Sequence, residues 1–353
     1  MAQSRGGALK TYVIRRLLLI VPTLIGVTMV VFALTQAMPG GPIDQMRMQL
    51  AGGGGGGESG SSGGGTTAGA SVEIPEAQLK ILKEHYHFDK PLAIRYWIFL
   101  KNVAQGDLGT SFRYSEPVLD LLISRLPVSL YFGSITMVLS YVVCIPLGIV
   151  KALQHRSWFD AVSSFVVFIL YSIPGWALAN VLLKNWAVDS PIFPLAGFRS
   201  EHFESLGFFA KIADQFHHTT LPLVCFCVGI FATSTMLMKN ALLENMGADY
   251  VKTALAKGLT WKVTIYGHAV RNSLIPFATS FGSNVTILLV GSVLIERIFG
   301  IQGMGLLFFD AILSRDYPVV MGYVLVAATL GMIGTLISDL CVAAVDPRVR
   351  FGE

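Results

Sequence analysis

Ser280, Ser283 and Thr286, with Gly282 among them and Asn284 alongside, recur every three to four residues within an apolar stretch. That spacing gathers hydroxyl groups on one side of a helix. Polar groups inside lipid are costly, so they face a protein interior or a pathway. Such a line can pass a polar solute, or it can knit helices together through small residues; the residues support both readings. No catalytic set accompanies it. The chain has no His-Glu-x-x-His, no Gly-x-Ser-x-Gly and no Cys-x-x-Cys, which disfavours a membrane enzyme. The unbroken run Gly52 to Gly57 lacks the lysine that a phosphate-binding loop requires, so no nucleotide site is expected there. His217-His218 could bind metal, and Cys225-x-Cys227 could be read as a metal pair. Neighbouring positions diverge on a helix, so the histidines read as an interfacial pair and the cysteines as packing. Neither metal nor cofactor is expected.

A second element carries a different chemistry. Tyr250-Val-Lys-Thr-Ala-Leu-Ala-Lys-Gly258 is a polar loop between apolar segments. Its order is apolar, small and basic residues, then a glycine. That suits a short helix laid along a membrane surface and pressed into another protein. A membrane protein driven by a soluble motor needs such an element.

Both elements must be positioned by a membrane scaffold. Of the 353 residues, 53% are hydrophobic and 14% charged, against about 25% charged in a soluble domain. The composition is that of a polytopic membrane protein. The net charge of +4 is too small and scattered for nucleic acid. All four cysteines (Cys144, Cys225, Cys227, Cys341) lie in apolar runs, which argues against a disulfide framework. Six stretches reach the roughly 20 apolar residues that a spanning helix needs: 12–35, 129–153, 161–184, 219–238, 274–295 and 317–345. Backbone groups in hydrocarbon must pair within their own segment, so the expected fold is all-α, with six transmembrane helices. The first stretch is too long for a cleaved signal and reads as an anchor.

The Lys/Arg bias sets the sidedness. Arg5, Lys10, Arg15 and Arg16, then Lys151 and Arg156, then Lys239, Lys252, Lys257, Lys262 and Arg271, then Arg348 and Arg350 belong together inside. Both termini are therefore expected in the cytoplasm. Asp339 near the inner end of the sixth span reads as a snorkelling or paired acid, and no intramembrane cation is evident as its partner. The chain divides into an N-terminal segment with the first span (1–37), a long outer loop (38–128), a core with the remaining spans and a short cytoplasmic helix near 247–262 (129–345), and a tail (346–353). The outer loop carries a Gly-rich insertion near 52–70 that cannot bury apolar surface and reads as flexible. A helix-like stretch follows from Pro75. Residues 116–126 read as an amphipathic helix on the outer face that leads into the second span.

Tyr250 to Gly258 resembles the cytoplasmic loop of bacterial ABC-importer permeases, whose general form is Glu-Ala-Ala-x-x-x-Gly. The matching positions read Lys252-Thr253-Ala254-x-x-x-Gly258, so two motif residues differ, the glutamate among them. The Tyr-Val-x-Thr-Ala-x-Ala-Lys-Gly form is similar to the oligopeptide/dipeptide/nickel branch. The Ile-x-Leu-Pro that usually follows is absent at His268 to Arg271, and Pro276 lies farther on. Further matching pieces are Ile14-Arg-Arg-Leu17, Met38-Pro-Gly-Gly-Pro42, Gly106-Asp-Leu-Gly-Thr-Ser111, Leu294-Ile-Glu296, Gly303-Met-Gly305, Ser314-Arg-Asp-Tyr-Pro-Val319 and Asp346-Pro-Arg348. The stretch Pro39 to Gln45, the glycine-rich loop and the tail look most like the microcin C/oligopeptide permease group, some of whose members import peptidoglycan-derived peptides.

The resemblance implies a type I importer permease. A second, homologous permease subunit completes the pathway as a heterodimer. Two ATP-binding subunits, or one fused ATPase, bind beneath and hydrolyse the ATP. A periplasmic binding protein delivers peptide from outside. It places Tyr250, Val251, Ala254, Lys257, Gly258 and Leu259 at the ATPase, where Ala254 and Gly258 allow close approach and Lys257 faces lipid phosphates or acids. The competing reading is an ion-coupled secondary transporter or channel. The missing inverted repeat and the missing intramembrane charge pairs speak against it.

Overall fold

The computed structural model describes residues 2–37 and 90–345. The glycine-rich insertion, the stretch from Pro75, the Met38–Pro42 and Pro39–Gln45 pieces and the Asp346–Arg348 piece lie outside the described residues. The described residues are helical throughout apart from turns and one isolated bridge, Thr110 to Pro117.

Four expected spans lie in single long helices: α1 (Ala2–Ala37), α3 (Val118–Leu153), α6 (Phe208–Gly247) and α13 (Tyr317–Val345). Length and hydropathy allow each to cross a membrane. The other two expected spans are interrupted. The third consists of α4 (Trp158–Ser172) and α5 (Gly175–Leu183), bent by 88° at the break. Ile173, forced extended by the following proline, and Pro174, which lacks a donor, make the bend. Gly175 then lies so close to α6 that a Cβ there would sit 2.7 Å from the Cys225 carbonyl oxygen. A π-helical turn, Lys184–Asp189, ends the segment. The fifth consists of α10 (Ile275–Val290), 16 residues long, and α11 (Val293–Ile298), separated by Gly291 at φ 80°. Among the described residues four helices are long and apolar enough to cross a membrane, or five when the bent pair is taken as one, so length and composition do not confirm the expected count of six. The amphipathic helix expected at 116–126 is not a separate element: α3 runs unbroken through Pro127.

The remaining helices are short. They are α2 (Leu92–Ala104), α7 (Asp249–Ala256), α8 (Trp261–Thr264), α9 (Val270–Ser273) and α12 (Met304–Leu313), with a π turn at Ile265–Ala269.

The chain divides into two compact units. The larger holds the described residues within 1–24, 123–309 and 326–353. Two apolar cores lie among its described residues. Phe132, Ala179, Leu221, Leu223, Cys225, Ile295, Phe299 and Ile301 form one. Ala152, Met238, Leu242, Val251, Ile265, Ala269 and Phe277 form the other. The smaller unit holds the described residues within 25–122 and 310–325. There Ser111 donates to Asp316 (2.5 Å), Gly109 packs on Pro318, and Gly322 lies against Val118 and Leu122. Tyr96 of α2 donates to the Ile25 carbonyl (2.7 Å), which seats α2 on α1.

Candidate functional site

The short helix α7 is built to stand at a surface. Ala248 enters it extended, and Asp249 opens its first turn, where a carboxylate complements the helix dipole. Lys252 donates to Asp249 (2.9 Å) and holds its carboxyl below the usual range. The far end closes in a Schellman motif. Gly258 N–H donates to the Leu255 carbonyl (2.9 Å) and Leu259 N–H to the Ala254 carbonyl (3.3 Å), with Gly258 at φ 87°. The backbone conformation alone therefore favours glycine. A Cβ there would meet nothing within 4 Å, so the position opens away from the chain.

The residues expected at the ATPase divide between two faces. Val251 is 1% exposed in the second core. Tyr250 packs on the same core and donates its hydroxyl to Asn245 (2.6 Å). These two anchor the helix. Ala254 is half-buried, and Lys257, Gly258 and Leu259 are exposed. Trp261, Val263 and Tyr266, which the motif does not include, are 50%, 54% and 56% exposed just beyond them. Exposed aromatics directly after a glycine-capped amphipathic turn are the signal that could have found them.

The polar line in α10 also divides. Gly282 and Thr286 face α13: Gly282 N–H donates to Ser338 (2.6 Å), and Thr286 packs beside Gly331 and Gly334. This is the small-residue packing reading. Ser280 returns its hydroxyl to the Pro276 carbonyl (2.8 Å) and is half-buried, as is Asn284. Ser283 is exposed and bonds only within its own helix, to the Ser280 carbonyl.

Motif pieces far apart in sequence meet. Glu296 of α11 accepts the Leu306 N–H (2.7 Å), and the Gly305 N–H also reaches it. Ser129 of α3 accepts the Met304 N–H (2.9 Å). The first three donors of α12 are thus satisfied by side chains outside it, a cap supplied from a distance. Gly291 and Gly303 leave the room: a Cβ on either would collide with the Glu296 carboxylate. Glu296→Ala orphans two of these donors, and the chain is expected to lose ~2 kcal/mol of stability. Glu296→Gln keeps one acceptor oxygen and is expected to lose less. Thermal unfolding in detergent ranks the three proteins, and equal midpoints would rule out the cap.

The sequence leaves the partners of two acids unassigned. Asp339 accepts from Tyr12 (2.6 Å) and pairs with Arg16 (3.2 Å), so it has the cation partner that sequence reading did not find. Asp160 is shared by Lys151 and Lys239. The expectation that intramembrane charge pairs are missing is thereby corrected. The cations had been assigned to loops, and Asp160 stands one residue before the apolar run expected for the third span. The Ser157-x-x-Asp160 cap, with Asp160 N–H donating to Ser157 (3.2 Å), marks that helix start in the sequence. His217 contacts the Ile192 carbonyl (2.6 Å) and His218 the Asp214 carbonyl (3.0 Å), so each ring has its own partner. Cys225 and Cys227 are buried. Among the described residues no group of His, Cys, Asp and Glu is placed to hold a metal.

Comparison with known proteins shows the family. Residues 144–351 match the model of the family described as "Binding-protein-dependent transport system inner membrane component". The peptidoglycan transport system permease protein YejB of Agrobacterium fabrum is 36% identical over 356 residues, 96% of this chain and 98% of that protein. The inner membrane ABC transporter permease protein YejB of Escherichia coli O157:H7 is 37% identical over 364 residues, 96% and 98% of the two chains. The oligopeptide transport system permease protein AppB of Bacillus subtilis is 32% identical over 341 residues, 96% and 99%. Such permeases work with ATPase subunits, a substrate-binding protein and a second permease, and the separate ATPase subunits carry the hydrolysis. The chain belongs to the binding-protein-dependent transport system inner membrane components: it is an integral permease subunit of an ABC importer, not an enzyme.

Proposed function

We propose that this permease imports peptides, as one half of a heterodimeric pathway coupled to two ATP-binding subunits or one fused ATPase. The observation that carries this reading is α7, anchored inward through Tyr250 and Val251 while Lys257, Gly258 and Leu259 stand exposed. Relatives whose names specify peptidoglycan and oligopeptide transport support a peptide as cargo. Both termini lie in the cytoplasm, with α7 on the same side, and the periplasmic binding protein delivers peptide to the opposite face. ATP-driven closure of the ATPases pushes α7 and swings the attached spans outward-open. Ala254 lets the ATPase surface approach, and Lys257 faces its acids or lipid phosphates. Ser280, Ser283, Asn284 and Thr286 are candidates for the solute route, with Ser283 the most accessible of them and Thr286 also packed beside Gly331 and Gly334. The paired state of Asp339 and Asp160 also suits a protein that draws its energy from ATP, because neither acid is left as an open proton site.

Co-expression with the neighbouring subunits and reconstitution in nanodiscs tests this reading. ATPases are expected to co-purify, and hydrolysis is expected to rise when binding protein loaded with peptide is added. Stimulation by another solute class alone would overturn peptide as cargo. Absence of any associated ATPase would overturn the coupling role of α7.

A further inference from the structure

Asp160 stands at the meeting point of three helices. Lys239 of α6 donates to both of its carboxylate oxygens, at 2.7 and 2.8 Å. Lys151, at the end of α3, lies 3.3 Å from Oδ1. It also donates to the Asp160 carbonyl (3.2 Å), Ser163 (2.6 Å) and Ser164 (2.9 Å). The Arg156 N–H (3.2 Å) and His155 Nδ1 (3.3 Å) reach Oδ2. The Lys151 side chain is 0% exposed, with Lys239 at 9% and Asp160 at 7%.

This is an expensive way to join helices. Removing charges from water costs several kcal/mol per ion, and apolar replacements of buried ion pairs are often neutral or stabilising. Fold stability alone therefore does not explain the cluster. Its position suggests what does. One turn before Lys151, Gly148 lets α3 press on α6, where a Cβ would sit 2.5 Å from the Met238 Cβ and 2.9 Å from the Thr235 carbonyl oxygen. Met238 and Leu242 of α6 and Ala152 of α3 share the core that holds Val251 of α7. A displacement of α7 is thus passed through Val251 to the end of α6. From there a charged tie to α4 runs from Lys239, the residue after Met238, to Asp160.

We infer that the Lys239–Asp160 pair is a positioning link that carries motion of the α7 helix into α4, and that its loss uncouples ATP hydrolysis from transport. The link rests on the coupling role proposed for α7. The geometry favours a rigid tie: bidentate contact, burial and a second lysine together fix the Asp160 carboxylate in place, so pushing α6 moves α4 rather than sliding past it.

The test uses the full transporter in proteoliposomes, with peptide transported per ATP hydrolysed as the readout. Lys239→Met keeps the packing volume and leaves Asp160 paired with Lys151, so no bare charge is created. The ratio is expected to fall at least ~10-fold while the yield of assembled complex and its unfolding temperature stay near those of the parent. Lys239→Arg, which keeps the bidentate donor, is expected to restore the ratio. An unchanged ratio for Lys239→Met overturns the link. Loss of complex and of thermal stability in that variant, with the ratio retained in what assembles, overturns it too and makes the cluster a scaffold. A cysteine introduced by Lys257→Cys, cross-linked to the ATPase in an otherwise unaltered transporter, separates the two proposals. No cross-link sinks the coupling role of α7 itself, whereas a cross-link with an unchanged Lys239→Met ratio sinks only the link.

Discussion

Gly258→Glu is expected to abolish ATP-driven uptake while leaving insertion and folding of the chain intact. Two effects combine. An L-residue at φ 87° costs ~1 kcal/mol, which frays the last turn of α7. The larger effect lies outside the chain: nothing of its own stands within 4 Å of a Cβ at this position, so a glutamate projects into open space, which the proposed coupling role gives to the ATPase. The strain can be separated from the obstruction. Asparagine tolerates the left-handed conformation, so Gly258→Asn keeps the Schellman closure and adds bulk alone. It is expected to unfold near the parent temperature and still lose uptake, by at least ~10-fold, or about 1.4 kcal/mol. Normal transport by the glutamate variant, measured beside a membrane-insertion assay, would sink the coupling assignment.

Gly282→Ala is the second large effect, this time on the fold. A single Cβ there would fall onto the Gly334 carbonyl, and the backbones of α10 and α13 would have to part. Separating them also breaks the Gly282 N–H to Ser338 bond of 2.6 Å. Overpacking of this kind costs ~1–3 kcal/mol or more. Gly229→Ala is the control, because a Cβ at Gly229 meets nothing within 4 Å. There the helix gains ~0.5–1 kcal/mol from alanine's propensity. Thermal unfolding of both variants in detergent should move in opposite directions, and a harmless Gly282→Ala would mean that α10 and α13 do not meet as described.

The long helices were legible because hydrocarbon leaves an apolar run of that length no other way to pair its backbone. The interruptions were partly legible. A proline inside an apolar run implies a kink, yet composition gives no angle, and the 88° bend at Pro174 depends on how closely Gly175 seats against Cys225. Gly291 was one glycine among 36, and nothing local marks it as the left-handed one that frees Glu296. The motif pieces were recognisable as pieces, but that Glu296 caps the helix beginning at Met304, or that Ser111 bonds Asp316, is a fact of packing between segments. For α7, the residue pattern located the element but did not fix its rotation. Val251 and Lys257 stand in one motif and face opposite ways because the apolar residue follows the core. The ionic cluster at Asp160 was hidden by counting its lysines as solvated loop charges.

The contact between Tyr12 and Asp339 joins residues 327 positions apart. A ribosome adding roughly 5–20 residues per second needs on the order of tens of seconds to cover that interval. Throughout that time Tyr12 and Arg16 are already made and the acid that will receive them is not. The α1 helix is therefore completed by α13, which is made long after it. A chain that stalls short of Asp339 lacks the acid that pairs with Arg16 in the finished protein.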